Sequence, residues 1–143
     1  MRLSLALAVL LLTQASLASD LAGTIKTRQG AAYIVRGGIE IPANPGESLR
    51  VSDSIRTGGD GTVGITLLDD TRLTAGPNST MELQRFVFDT TTNKGTLNAR
   101  VKRGSLGVIS GKIAKSSPEQ VKFTTQSVTL GVRGTRFIIK AEE

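Results

Sequence analysis

The sequence predicts an all-β fold, a single compact domain of short strands arranged as a β-solenoid or as a sandwich of antiparallel sheets. Three observations predict it. Apolar residues recur with a period of two, as in strands with one buried face. Glycine, Asp or Asn interrupts these runs every ~8–12 residues, the spacing of turns in all-β domains. After the first 18 residues, no run has the period of an amphipathic helix. No strict repeat is visible, so the solenoid and the sandwich both remain open.

The first 18 residues have the parts of an export signal. A positively charged start precedes an apolar run over residues 3–12, and the small residues Ser16 and Ala18 stand where a signal peptidase cleaves. A membrane anchor is the alternative, but a spanning helix needs ~20 apolar residues and this run is about half as long. We therefore predict a signal peptide over residues 1–18 and one exported domain over residues 19–143, with no membrane span after the signal is removed.

The first part of the domain contains short alternating runs that end at glycines. Gly30 and Gly37–Gly38 interrupt the chain after the first two runs. Residues 39–46 contain Pro42 and Pro45 and are interpreted as a connecting loop, because proline cannot donate a hydrogen bond to a strand ladder. The predicted strands in this part are residues 24–28, 31–36, 47–51 and 53–57.

The clearest hairpin surrounds Asp69–Asp70. Val63, Ile65 and Leu67 share one face of the strand before this turn, because alternate side chains of a strand point to the same side. Residues 71–74 form the returning strand.

The next strand changes its apolar face partway along. Met81 and Leu83 share one face, whereas Phe86 and Phe88 occupy positions of the opposite parity. We therefore predict a β-bulge near Gln84–Arg85. The later chain repeats the alternating pattern, with predicted strands at residues 97–101, 106–108, 121–123, 128–132 and 137–139, a turn at Gly104 and a polar loop over residues 112–120.

Basic residues are concentrated in the last third of the chain. Residues 19–93 carry seven Lys or Arg against nine Asp or Glu, whereas residues 94–140 carry ten Lys or Arg and one Glu. This asymmetry predicts an anionic partner, although outward strand positions and edge strands also favour Lys and Arg. Alternate strand residues point to opposite faces, so the candidates cannot all share one surface. The candidate binding residues are Arg100, Lys102, Arg103, Lys112, Lys115, Lys122, Arg133 and Arg136.

The chain has no histidine and no cysteine. Ser–His and Cys–His catalysis, histidine-ligated zinc and disulfides are therefore excluded. Asp60, Asp69 and Asp70 could supply oxygen ligands to calcium or a carboxylate pair to a glycosidase, but each stands in a turn, where Asp is favoured for its local hydrogen bonds. We predict no catalytic residue, metal or cofactor. An aromatic content of 3% also argues against nucleic-acid binding by base stacking.

Three segments follow a recognisable pattern. Residues 45–57 have Gly-Glu before an apolar position, followed by Asp-x-apolar-x-Thr. Residues 63–83 have an alternating strand, an acidic turn and a Pro-x-Ser turn, and residues 125–137 end in Val-Arg-Gly-Thr-x-Phe. In this order and spacing they resemble the FecR domain family across nearly the whole predicted domain. One departure is the turn Asp69-Asp70-Thr71, which stands where Asp-Gly-Ser is common in the family.

The resemblance implies a non-enzymatic domain in the periplasm, or released from the cell, that contacts another envelope protein, as in periplasmic sensor regions. An exposed strand edge is the expected contact. Signalling members carry a cytoplasmic anti-sigma segment and a spanning helix before this domain. A signal peptide is predicted in that place here, so we expect no direct contact with a sigma factor. The alternative function is binding of peptidoglycan or another anionic polysaccharide through a basic face.

Gly131 and Gly134 flank Arg133 in the last of these segments. Strand interiors avoid glycine, so we interpret Gly131, Gly134 and Thr135 as a structural corner between strands. Arg133 would there bond exposed carbonyls or a carboxylate through its five N–H donors. A phosphate-binding loop is a poorer interpretation, because the segment lacks a Gly-Lys-Ser/Thr ending and no helix pattern follows it.

Overall fold

The computed structural model describes residues 20–132 and 135–142. The predicted signal peptide, Arg133 and Gly134 lie outside these residues. Within the described ranges, no helix has both the length and the apolar character needed to cross a membrane.

The described chain consists mainly of short strands. A five-residue helix α1 (Lys112–Ser116) and a 3-10 turn (Pro118–Gln120) follow the longest strand. The strands are β1 (Leu21–Gln29), β2 (Ala32–Arg36), β3 (Ile39–Pro42), β4 (Ser48–Arg50), β5 (Ser54–Thr57), β6 (Thr62–Leu67), β7 (Arg72–Ala75), β8 (Thr80–Phe88), β9 (Gly95–Ile109), β10 (Val121–Thr124), β11 (Thr129–Gly131) and β12 (Arg136–Ala141).

One curled sheet contains all these strands, and β9 joins its two halves. The half that we call the front sheet has the order β3-β2-β5-β8-β9-β10-β11, in which β9 contributes residues 95–103. The back sheet has the order β4-β1-β6-β7-β9-β12, in which β9 contributes residues 104–109. Among the described pairings only β9–β10 is parallel. The all-β prediction is confirmed, and the arrangement is a curled antiparallel half-barrel rather than a stack of parallel solenoid coils.

Within the described residues, the two sheets enclose one apolar core. Val63, Ile65 and Leu67 are all buried, which confirms the face predicted for the central hairpin. Each fully buried Leu, Ile or Phe stabilises the fold by about 1.5–3 kcal/mol. Because the chain has no cysteine, this core and the strand ladders hold the domain together without a disulfide.

A bend at Gly104, rather than the predicted turn, carries β9 from one sheet to the other. The strand continues through Gly104, whose φ is +83°. A Cβ built at this position would lie 2.6 Å from Ser79 Cα and 2.7 Å from the Asn78 carbonyl oxygen. Glycine therefore allows both the left-handed backbone and the close approach of the neighbouring segment.

The prediction of a loop over residues 39–46 was wrong in its first half. Gly37 and Gly38 have φ values of +56° and +78° and form a tight hairpin that returns the chain as β3. Pro42 ends β3, and β3 lies at the edge of the front sheet, where no further strand needs an N–H donor from proline.

The predicted polar loop over residues 112–120 instead contains α1, and Asp69 holds the start of this helix. The Asp69 carbonyl oxygen accepts the Lys112 N–H at 2.7 Å, and its carboxylate accepts the Ile113 N–H at 3.2 Å. The same buried carboxylate accepts the Thr71 N–H at 3.1 Å and the Thr71 hydroxyl at 2.8 Å. The helix thereby buries Ile113 in the core.

The loop between β8 and β9 contains an aspartate whose titration can be measured. Asp89 accepts the Thr91 N–H at 2.8 Å and the Thr92 N–H at 3.4 Å, and these bonds hold the pKa of Asp89 below its ordinary value. Because the folded-state pKa is lowered, the loop contacts stabilise the fold above the unfolded-state pKa and are lost as pH falls through the folded value. An NMR titration should give the Asp89 carboxyl a pKa below that of an aspartate in the unfolded chain. A value at or above it would contradict these contacts.

Candidate binding surfaces

The structure brings together half of the eight predicted basic residues. Arg100, Lys102, Arg103 and Lys122 lie on the outer face of the front sheet. The other four do not join them. Lys112 and Lys115 are exposed on α1, Arg136 is on β12 in the back sheet, and Arg133 lies outside the described residues.

Two β-bulges add cations to the same face. The predicted bulge is confirmed, since the β8–β9 register shifts between Leu83 and Arg85, and Gln84 and Arg85 are both exposed. A second shift makes Lys102 the extra residue of β9, so that Lys102 and the exposed Arg103 both lie outside the core. Composition of the last third of the chain could not indicate Arg85, because it belongs to β8.

Carboxylates neutralise only part of this charge. Lys102 Nζ lies 3.1 Å from Glu82 Oε2. Arg56 on β5 forms an ion pair with Glu40 and lies 5.7 Å from the centre of the Tyr33 ring. Within the described residues, no ion pair involves the other cations of this face, which are Arg85, Arg100, Arg103 and Lys122. We define the basic face as Arg56, Arg85, Arg100, Lys102, Arg103 and Lys122.

The strand β12 is an edge of the back sheet and presents an exposed apolar residue. Among the described residues β12 pairs only with β9. Ile138 is 71% exposed, between the exposed residues Arg136 and Lys140 on the same side of the strand. Its cross-strand neighbour on β9 is Gly107, which has no side chain to cover it.

The other three described edges offer less to a partner strand. The strand β3 ends in Pro42, and β4 and β11 have three residues each. The six-residue β12 is the longest of these edges and contains no proline. The described part of the chain is therefore most open to strand pairing at β12.

The segment interpreted above as a structural corner is described on both sides of residues 133 and 134. Gly131 ends β11 without a left-handed φ, and a Cβ there would meet no described atom within 4 Å. Its described geometry therefore gives no conformational reason for glycine. The Thr135 carbonyl oxygen accepts the Ser110 N–H at 2.8 Å, just before β12 begins. Since Gly134 is outside the described residues, the corner role of the segment stays a prediction.

The described residues contain no group of three or more His, Cys, Asp or Glu side chains that could hold a metal ion. Each of the three aspartates considered for calcium has a different partner within the protein. Asp60 accepts the Ala31 N–H at 3.2 Å, whereas Asp69 bonds the start of α1, and Asp70 lies 3.3 Å from Lys112 Nζ.

Comparison with protein families gives a match to the FecR protein family over residues 53–143. The chain belongs to this family. The match includes the second and third of the three recognised segments and the last residues of the first. No curated protein and no solved structure matches the chain. FecR domains are commonly found in the periplasmic sensor regions of signalling proteins.

The FecR-type segments supply structural contacts. In the first segment, Asp53 is buried and accepts bonds from Arg36 Nε at 2.9 Å and Arg36 Nη2 at 2.8 Å. It also accepts the Arg50 N–H at 2.8 Å. The hydrogen bond to Asp53 is the main reason that the pKa of Arg36 is raised. This bidentate pair joins β2 to the chain just before β5.

In the last FecR-type segment, Phe137 packs against the core from β12. Its ring centre lies 5.6 Å from that of Phe123 on β10, with an interplanar angle of 78°. This edge-to-face contact connects the back sheet to the front sheet. The FecR motif residues that can be described therefore maintain the fold, and the exposed residues beside them are the candidates for binding.

Proposed function

We propose that this FecR-family chain is an exported, non-enzymatic interaction module of the cell envelope that binds another protein by strand addition at β12. The observation that carries the proposal is the edge strand itself, with Ile138 exposed on it. Membership of a signalling family whose domains take part in protein interactions supports it.

The chemistry of β12 specifies the partner strand. An added strand would take up the N–H and C=O groups of β12 that do not bond to β9. The outward residues of β12 are a cation, an apolar residue and a second cation, namely Arg136, Ile138 and Lys140. Directly opposed side chains contribute about 0.2–1 kcal/mol per pair. A partner strand with the outward pattern acidic, apolar, acidic therefore fits this edge best.

Placing a photoreactive amino acid on β12 tests this function. We expect the analogue at position 138 to crosslink one dominant envelope protein when envelope preparations are irradiated in about 0.1 M salt. The same product should form in 1 M salt, where the Debye length is only about 3 Å, because strand pairing does not depend on long-range charge. The crosslinked peptide should be extended, with acidic residues flanking the attached apolar one.

The control is the same analogue at position 39. Ile39 is 67% exposed, but it lies on β3 at an edge of the front sheet. Equal crosslinking from both positions would mean that exposed apolar side chains, and not the β12 edge, capture the protein. No product from position 138 would overturn strand addition at this edge.

A second candidate function is the binding of peptidoglycan or another anionic polysaccharide. The observation that favours it is the basic face, on which two bulges place Arg85 and Arg103 beside cations of β9 and β10. Recovery of the protein with cell-wall material at low salt, and its release in 1 M salt, would support this candidate.

A further inference from the structure

The outer face of the front sheet contains a polar groove that reaches Arg100. Its volume of about 350 Å³ is within the range of about 300–1,000 Å³ that is usual for ligand sites. Hydroxyl and carboxamide side chains line most of it. They are Gln84, Thr124, Thr125, Gln126, Ser127 and Thr129.

The guanidinium of Arg100 has unused hydrogen-bonding capacity. Its Nε is the one buried side-chain nitrogen or oxygen atom of the described residues without a hydrogen-bond partner. Glu82 on β8 lies directly across from Arg100, but its carboxylate pairs with Lys102 at 3.1 Å. On the other side, Arg100 faces Thr124 of β10. A buried donor without an acceptor is costly, so this atom needs an explanation beyond the fold.

Local bonds fix the groove wall. The turn between β10 and β11 is closed by the Thr125 N–H, which donates to the Val128 carbonyl oxygen at 2.8 Å. The Thr125 hydroxyl accepts the Ser127 N–H at 3.4 Å and the Val128 N–H at 3.3 Å. On the opposite side, the β8 bulge turns Gln84 outward. The groove is therefore formed before any ligand binds.

We propose that this groove binds the carboxylate of an acidic sugar, such as a hexuronate residue in an envelope polysaccharide. The Arg100 guanidinium donates to the carboxylate oxygens, and the hydroxyl and carboxamide walls bond the sugar hydroxyls. Among the described lining residues only Val128 is apolar, which disfavours a peptide side chain. Arg85 and Lys122 are both cross-strand partners of Asn98, two residues before Arg100, and attract an anionic chain.

Trigalacturonate is the probe for the test, and neutral galactotriose is its uncharged counterpart. Calorimetry at about 0.15 M salt should show binding of trigalacturonate alone, and the Arg100 Nε–H resonance should shift in an NMR titration. Arg100→Gln should weaken binding at least about tenfold, since it removes charge-assisted hydrogen bonds. Lys26→Gln removes an exposed positive charge from β1 in the back sheet, away from the groove, and should leave affinity within about twofold.

A second variant keeps the test decisive if Arg100→Gln folds poorly. Thr129→Glu puts a carboxylate at an exposed position of the groove wall and should also weaken binding at least about tenfold, by repulsion of the ligand. Equal losses in Arg100→Gln and Lys26→Gln, or an unmoved Nε–H resonance, would overturn the groove as a site. Preference for a peptide carboxylate such as acetyl-Gly-Gly over trigalacturonate would overturn the sugar assignment.

The choice of an acidic polysaccharide as the ligand rests on the second candidate function. Binding in the groove and binding to the cell wall can nevertheless be tested separately. Cell-wall recovery that survives Arg100→Gln, with trigalacturonate binding lost, would locate wall binding elsewhere on the basic face and overturn this ligand. The crosslink from position 138 tests β12, which is in the other sheet.

Discussion

Replacing Gly104 by alanine should destabilise the domain by about 3 kcal/mol or more. Two costs add. The left-handed φ of +83° disfavours any L side chain, and the new Cβ would approach Ser79 Cα to 2.6 Å. The chain around Ser79 cannot move away freely, because the Ser79 N–H and hydroxyl are bonded to Thr57 and Ser105. The free energy of unfolding from urea titration measures the effect.

The matched control is Gly107→Ala, three residues further along β9. Gly107 has an ordinary strand backbone, and a Cβ there would lie 3.8 Å from Thr74, a normal contact distance. Alanine should therefore leave the free energy of unfolding unchanged or raise it by about 0.5–1 kcal/mol. If both variants lost the same stability, the cost would come from glycine replacement in β9 in general and not from the bend.

The parts of the fold that the sequence predicted are those in which one face of a strand is buried. Val63, Ile65 and Leu67 alternate with threonine and glycine, so the β6–β7 hairpin could be identified from its pattern alone. The bulge at Gln84–Arg85 could also be predicted from the sequence, because a change of parity in the apolar residues of one strand requires an extra residue.

The elements that were missed depend on contacts between distant parts of the chain. The short helix α1 has no amphipathic period of its own. It begins at Lys112 and Ile113, whose N–H groups are both accepted by Asp69 from a distant part of the chain. Gly104 was recognised as a change of direction, but only the pairing of β9 with both β8 and β12 shows that the strand continues through it.

The candidate binding surfaces also combine residues from distant parts of the chain, which local sequence patterns do not connect. Charge counting indicated Arg100 and Lys122 but not Arg85 or Arg56, because β8 and β5 precede the basic third of the chain. Their common face results from the strand order β5-β8-β9-β10. The groove at Arg100 also combines Gln84 from one strand with the β10–β11 turn, and no local pattern connects these residues.

The second large effect is expected at Asp69. Asp69→Asn should destabilise the domain by about 3 kcal/mol, because an amide has one acceptor oxygen where the buried carboxylate has two. In either orientation of the amide, its NH2 group faces the N–H of Thr71 or of Ile113, which the carboxylate now accepts. A buried N–H without an acceptor is then left at the β6–β7 turn or at the start of α1. Urea titration gives the total loss.

Asp70→Asn makes the same chemical change one residue away and should cost less than about 0.5 kcal/mol. Asp70 is exposed, its ion pair with Lys112 at 3.3 Å is open to solvent, and asparagine tolerates its φ of +68°. Amide hydrogen exchange separates a local effect from a global one. In Asp69→Asn the amides of α1 should exchange faster by more than the global loss of stability explains. Unchanged stability in both variants would mean that α1 does not need the Asp69 carboxylate, and that burial of Ile113 alone keeps the helix on the core.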